Sequence, residues 1–244
     1  MVVMEKLKAG AIKLGLRLDL RQLEQFQIYY QEILDWNKRV NLTAITSYED
    51  VQIKHFLDSL TVTLAWPEPI GSAVSRLIDV GTGVGIPGIP LKILFPDMTL
   101  VLLDSTAKKA AFLHYFKDKL GLDDVEIVVG RAEEVAHDTR YREKFDMVLS
   151  RSVASLPALV ELALPFGSVG GCFIAQKKGD IDSEISQAAR TINLLGGNLR
   201  EVKKVDLAEF TDGRRLVIID KLAPTPSQYP RRPGMPTKRP IMKG

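Results

Sequence analysis

In RQLEQFQIYYQEILDWNKRVNL, residues 21 to 42, the apolar side chains Leu23, Phe26, Tyr30, Ile33 and Leu34 recur at steps of three and four, the spacing of one helix face. A second helical stretch, YEDVQIKHFLDSLTVTLAW, is expected to stop at Trp66-Pro67-Glu68-Pro69, because a residue before proline is driven out of the α region. Residues 1–70 therefore read as a helical extension. After Gly71 the pattern changes to short, nearly continuous apolar runs (RLIDV, LVLLD, VEIVV, FDMVLSR, GCFIAQK) alternating with the helical segments LKILF, AFLHYFKDKL, ALVELALPF and IDSEISQAARTINLL. That alternation predicts a mainly parallel sheet covered on both faces. Residues 199–208 and 214–222 break the rhythm, since the EFTDG between them is too short for a parallel crossover and implies an antiparallel hairpin.

The predicted fold class is thus α/β, a doubly wound sheet of seven strands ending in a hairpin. This outline resembles the Rossmann-like class I methyltransferases. The division is 1–70 helical extension, 71–222 α/β domain and 223–244 Pro-rich tail. A composition of 45% hydrophobic and 26% charged residues suits a globular chain, and no apolar run approaches the ~18 residues of a bilayer span. No membrane segment is read, and the charged N-terminus does not resemble a secretory signal. One cysteine, Cys172, and three scattered histidines assemble neither a disulfide framework nor a metal site, which fits a reducing, cytoplasmic setting. The net charge of +3 is unevenly placed: six Lys/Arg and no acid follow Asp220, leaving −3 on residues 1–220. A local cationic segment points to a phosphate polymer, with a solvated, disordered tail as the plainer alternative.

The densest chemical signal is IDVGTGVGIPGIP, residues 78–90. Glycines so close after a strand suit a backbone that approaches a ligand or turns with positive φ. Counted from Gly83, the run fits the dinucleotide fingerprint G-x-G-x-x-G, with Asp104 21 residues on, where a ribose-holding acid is expected. Counted from Asp79 through Gly81, Gly83 and Gly85, it fits S-adenosyl-L-methionine sites. The preceding helical extension and the closing hairpin favour the methyl donor. Pro87 and Pro90 fall where the next helix begins, a place where a missing N–H costs little. Asp104 ends a strand and can accept from both ribose hydroxyls, or can act with Ser105 as a helix N-cap. Ala132 and Glu133, in GRAEE, sit where this fold lays protein against adenine, although a plain first helical turn accounts for them almost equally well. Arg151 and Lys177 should emerge at the carboxyl ends of strands and meet a phosphate, the donor's carboxylate or a surface acid. No residue is assigned as a general base.

The stretches WNKRVNLTAI, HFLDSL, IDVGTGVGIPG, LLDSTAKKAAFL, GRAEE, SRSVASL and YPRRPGMPTKRP together resemble the 16S ribosomal RNA guanine-N7 methyltransferases, also called glucose-inhibited division protein B. The resemblance implies donor contacts at Gly81, Ile86, Asp104, Ala132, Glu133 and Arg151. It further implies methyl transfer to N7 of a guanine in the 530 loop, with 16S RNA or the small ribosomal subunit as partner. The residues support the nucleic-acid part independently. Arg231, Arg232, Lys238 and Arg239 can lie along phosphates, and Lys38 and Arg39 flank Trp36 in a mixture that stacks bases and holds a backbone. A core role for Trp36 is the alternative. Competing functions are a nicotinamide-dependent oxidoreductase, for which no acid or base can be assigned, and a non-catalytic RNA-binding protein on the same fold.

Overall fold

The structure is a computed structural model that describes residues 4–66 and 74–242. The expected helix stop at Pro67 and Pro69, the boundary at Gly71 and the last tail lysine, Lys243, lie outside the described residues. Helix α1 (Glu5–Lys13) is followed by α2 (Leu20–Asn37), which starts at a capping box: Gln22 N donates to Asp19 Oδ1 at 2.7 Å and Asp19 N to Gln22 Oε1 at 3.0 Å. The buried face of α2 runs through Leu23, Phe26, Tyr29 and Ile33, whereas Tyr30 and Leu34 are partly exposed. This corrects the stripe read from spacing. Steps of three and four from Phe26 both stay on one face, so periodicity does not choose between adjacent tyrosines; stacking of Tyr29 on Phe56 and Phe116 does. Helix α3 (Tyr48–Asp50), with Ser47 as its N-cap, continues unbroken through a π-helical turn (Val51–Leu57), α4 (Asp58–Leu60) and a 3-10 turn (Thr61–Ala65).

Strands β1 (Arg76–Val80), β2 (Thr99–Asp104), β3 (Val125–Val129), β4 (Phe145–Arg151), β5 (Gly167–Lys178), β6 (Gly197–Lys204) and β7 (Arg214–Lys221) form one sheet in the order β3-β2-β1-β4-β5-β7-β6. The first five are parallel, and β7 enters antiparallel between β5 and β6. Between them lie α5 (Gly88–Leu94), α6 (Ala107–Leu120), α7 (Ala132–Val135), α8 (Leu156–Ala163) and α9 (Asp182–Leu194). Helix α6 ends on Gly121 at φ 58, a left-handed cap.

Period-two alternation divides the strands between two cores. Leu77, Leu100, Leu102, Met147, Leu149 and Ile174 pack with the N-terminal helices, while Ile78, Val101, Leu103, Val148, Phe173 and Val217 pack with α8 and α9. The helical extension therefore shares a core with the sheet. Cys172 is buried in β5, and burial pushes its thiol up to about 11, which keeps it protonated. Among the described residues, no helix is long and apolar enough to cross a membrane.

The chain after Lys221 folds back over the sheet and forms the short α10 (Met235–Lys238). Arg142 donates to the Tyr229 and Thr225 carbonyls at 2.9 and 2.8 Å, and His137 Nε2 to that of Pro230 at 2.8 Å. Arg231 forms a two-pronged pair with Glu161, a fully buried carboxylate in α8. Charge composition suggested a segment lying along phosphates or free in solvent. The described part of the tail is a packed strap and not a solvated appendage, and its Arg231 is turned away from phosphates because a buried acid 70 residues away supplies its partner.

Candidate functional site

The carboxyl ends of β1 and β2, the turn after β3 and the start of α7 enclose a cleft of about 260 Å³. Gly81, Asp104, Ser105, Ala132 and Glu133 line it, joined by Arg131, Val153 from the loop after β4 and Thr237 from α10. The last three were not singled out as site residues. All three lay within quoted stretches, GRAEE, SRSVASL and YPRRPGMPTKRP, but nothing local marks them as cleft residues, since only the fold brings their loops together.

Gly81, Gly83 and Gly85 take φ +75°, +63° and +94°, a region costly for any residue with a Cβ. Their surroundings differ. A Cβ on Gly81 would meet Val153 Cγ2 at 2.4 Å, and one on Gly85 would meet Ile89 Cδ1 at 2.4 Å. At Gly83 the nearest atom is Lys109 Nζ at 3.9 Å, so this glycine faces open space. Its N–H donates to Asp104 Oδ2 at 2.9 Å, and Thr106 N donates to Asp104 Oδ1 at 2.8 Å. Asp104 is not the N-cap of α6: that position is Thr106. Each Asp104 oxygen accepts one backbone bond and keeps a lone pair for a ligand.

Asp79 is fully buried. Its Oδ2 accepts from the Thr82 hydroxyl at 2.6 Å and Gly88 N at 2.9 Å, while Oδ1 has no partner among the described residues. Burial raises its pKa, the bonds from Thr82 and Gly88 pull it down, and the net value is about 6. Glu133 Oε1 accepts from Arg131 at 2.9 Å and Gly234 N at 2.8 Å. Burial raises its pKa, but these bonds outweigh that and hold the carboxyl below its usual range.

Other predicted contacts stand elsewhere. Ile86 is packed in the core and does not line the cleft. Arg151 ends β4 but turns toward the helical extension, donating to the Lys54 carbonyl at 2.8 Å and Asp58 Oδ2 at 2.7 Å. His55 beside it is buried; burial first, then the Arg151 charge, lowers it to about 4, so it is neutral. Lys177 lies within β5, not after it, and its Nζ is held by the Ala154 carbonyl at 3.0 Å and Glu184 at 2.6 Å. Neither cation lines the cleft. Arg231 turns inward to Glu161, while Arg232, Lys238 and Arg239 are exposed. Trp36 packs on Phe112 and Tyr115 and, with Lys38 and Arg39, lines a surface groove. Among the described residues, no three His, Cys, Asp or Glu side chains are grouped to hold a metal ion.

This arrangement can cradle a nucleoside, with a carboxylate for its ribose and a bare backbone beside it. Comparison with known proteins agrees. Residues 22–213 match the family described as rRNA small subunit methyltransferase G. The Ribosomal RNA small subunit methyltransferase G of Dehalococcoides mccartyi is 50% identical over 239 residues, 98% of this chain and 100% of that protein. The protein of the same name from Roseiflexus castenholzii is 47% identical over 239 residues, again 98% of this chain and 100% of its own. Among solved structures, the O-methyltransferase from Bacillus cereus in complex with SAH aligns with a TM-score of 0.56 at 18% identity, covering 88% of this chain and 97% of that one; it is a likeness of fold. With both the fold and nearly the whole length accounted for, the chain belongs to the rRNA small subunit methyltransferase G family.

Proposed function

We propose that the protein transfers a methyl group from S-adenosyl-L-methionine to N7 of a guanine in the 530 loop of 16S ribosomal RNA, with the donor in the cleft beside Gly83. The family makes it an S-adenosylmethionine-dependent ribosomal RNA methyltransferase. One observation carries the placement: Gly83 is fixed by Asp104 through its N–H, and its missing Cβ faces open space. The residues fit the donor. Asp104 has lone pairs for the ribose hydroxyls without releasing the loop, Ala132 and Glu133 border the adenine side, and the unpartnered Asp79 Oδ1 suits the donor's ammonium group. When bound, the donor supplies an electrophilic sulfonium methyl.

Guanine N7 carries an in-plane lone pair, so no proton has to leave before attack and no general base is needed. Orientation is then the chain's main contribution. On the RNA side, Lys238 and Arg239 follow Thr237 at the cleft wall, and Arg232 is exposed on the same strap. Lys38 pairs with Asp35 at 2.8 Å, but both side chains are exposed, so the pair gives way readily to a phosphate. Labelled donor incubated with isolated small subunits or naked 16S RNA should label one guanine chosen by RNA shape. Label on neither RNA, or scattered over many bases, contradicts the reading.

A cation beside Asp79 favours its ionised form, so donor affinity should fall as pH drops through about 6 and the carboxyl takes up a proton. The free protein shows the opposite sign. Because the folded pKa lies above the unfolded one, the cost of ionising Asp79 is full above about pH 6 and relieved as pH falls through it. Calorimetry between about pH 5 and 8 should show this dependence in the parent and lose it in Asp79→Asn. A dependence that persists in Asp79→Asn would assign it to another group.

A further inference from the structure

Tyr29 reaches the donor loop from the middle of α2. Its ring is fully buried, stacked on Phe116 at 4.3 Å and on Phe56 at 5.1 Å between centroids. Its phenol donates to the Val84 carbonyl at 2.5 Å. Val84 stands between Gly83 and Gly85, and the Tyr29 oxygen lies 2.9 Å from where a Gly85 Cβ would be, so phenol and glycine are matched in shape. Gly83 in turn is tied to Asp104 at the end of β2. Two consecutive loop residues are therefore fixed by groups from different parts of the fold, one from the sheet and one from the helical extension.

Packing alone does not require the hydroxyl, because phenylalanine would fill the same space between Phe56 and Phe116. The oxygen's role on the page is the bond to the loop. We propose that Tyr29 is a positioning residue for the methyl donor: its phenol holds the Gly83–Gly85 backbone in the shape the donor meets, which makes the N-terminal helical extension part of the donor site. Burial raises its pKa well above the usual phenol value, so it stays a proton donor at working pH. The proposal rests on the donor lying against this loop.

Tyr29→Phe keeps the ring and removes the bond. It should raise the donor Kd on the order of ten-fold, as the loop must then be ordered by the ligand, and leave the RNA KM unchanged. Phe116→Leu trims the stack without touching Val84; it should lower the unfolding temperature yet leave the donor Kd within about two-fold. Calorimetry with S-adenosylhomocysteine and thermal unfolding without ligand, on both variants and on Gly83→Val, separate the outcomes. If Tyr29→Phe binds as the parent does while Gly83→Val does not, the positioning role is wrong and the donor placement stands. If Tyr29→Phe and Phe116→Leu weaken binding equally, the effect is general packing and the proposal fails. If Gly83→Val also binds normally, the placement is wrong and the proposal falls with it.

Discussion

Gly83→Val is expected to weaken donor binding by at least about a hundred-fold in a protein that still folds. At φ +63° a branched residue carries backbone strain of roughly 1–3 kcal/mol, which lowers stability without filling any occupied space. The new side chain would stand where only Lys109 Nζ comes within 3.9 Å, so it collides with the ligand and not with the core. Any relief by backbone movement would pull Gly83 N from Asp104 Oδ2 and disturb the ribose carboxylate too. Neighbouring glycines provide the contrast. Gly81→Ala and Gly85→Ala press on Val153 and Ile89, so for them loss of stability should accompany or precede loss of binding. Calorimetry with S-adenosylhomocysteine, paired with thermal unfolding, distinguishes the cases. A folded Gly83→Val protein with the parent's Kd would remove the loop from the donor site.

Arg231→Ala should cost about 3–5 kcal/mol of stability, because it leaves the fully buried Glu161 without its cationic partner. Nε and Nη2 reach the carboxylate at 2.8 and 2.6 Å, and the Arg231 backbone N adds a third bond at 2.8 Å. Only the backbone bond survives the substitution. Replacing Glu161 by leucine in the same chain should recover part of the loss, since an apolar side chain needs no partner there. The strap carries Gly234, which donates to Glu133, and Thr237, which lines the cleft, so loosening it should weaken donor binding as well. Removing the whole strap should do the same. The salt dependence of RNA binding should keep its slope in Arg231→Ala, whereas substituting Arg232, Lys238 or Arg239 should lower it by roughly one each. Denaturant unfolding that shows under about 1 kcal/mol of loss, together with a flatter salt slope, would return Arg231 to the phosphate side.

What could be read from sequence was what local pattern encodes. Alternating apolar runs revealed the strands, the short EFTDG connection revealed the hairpin, and the glycine run after β1 marked the loop whose Gly81 lines the cleft. The misreadings of Arg151, Arg231 and Tyr30 involve partners distant along the chain. Arg151 ends β4 as expected and Lys177 lies near the end of β5, but Asp58 and Glu184 claim their charges. Arg231 looked like one cation in a basic tail because nothing near it in sequence announces Glu161. Tyr29 and Tyr30 are equivalent to a helical period, and only the aromatic pair Phe56 and Phe116 selects the one that touches the donor loop.

The most direct test of the account is the identity of the methylated atom. Small-subunit RNA treated with the protein and S-adenosyl-L-methionine is digested to nucleosides and fragments and examined by mass spectrometry. The account predicts 7-methylguanine at a single position in the 530 loop, formed at a rate that at saturating donor needs no deprotonated protein group between about pH 6 and 9. A methyl group on a ribose hydroxyl, on a cytosine carbon or on an adenine nitrogen would contradict it, as would product spread over many guanines.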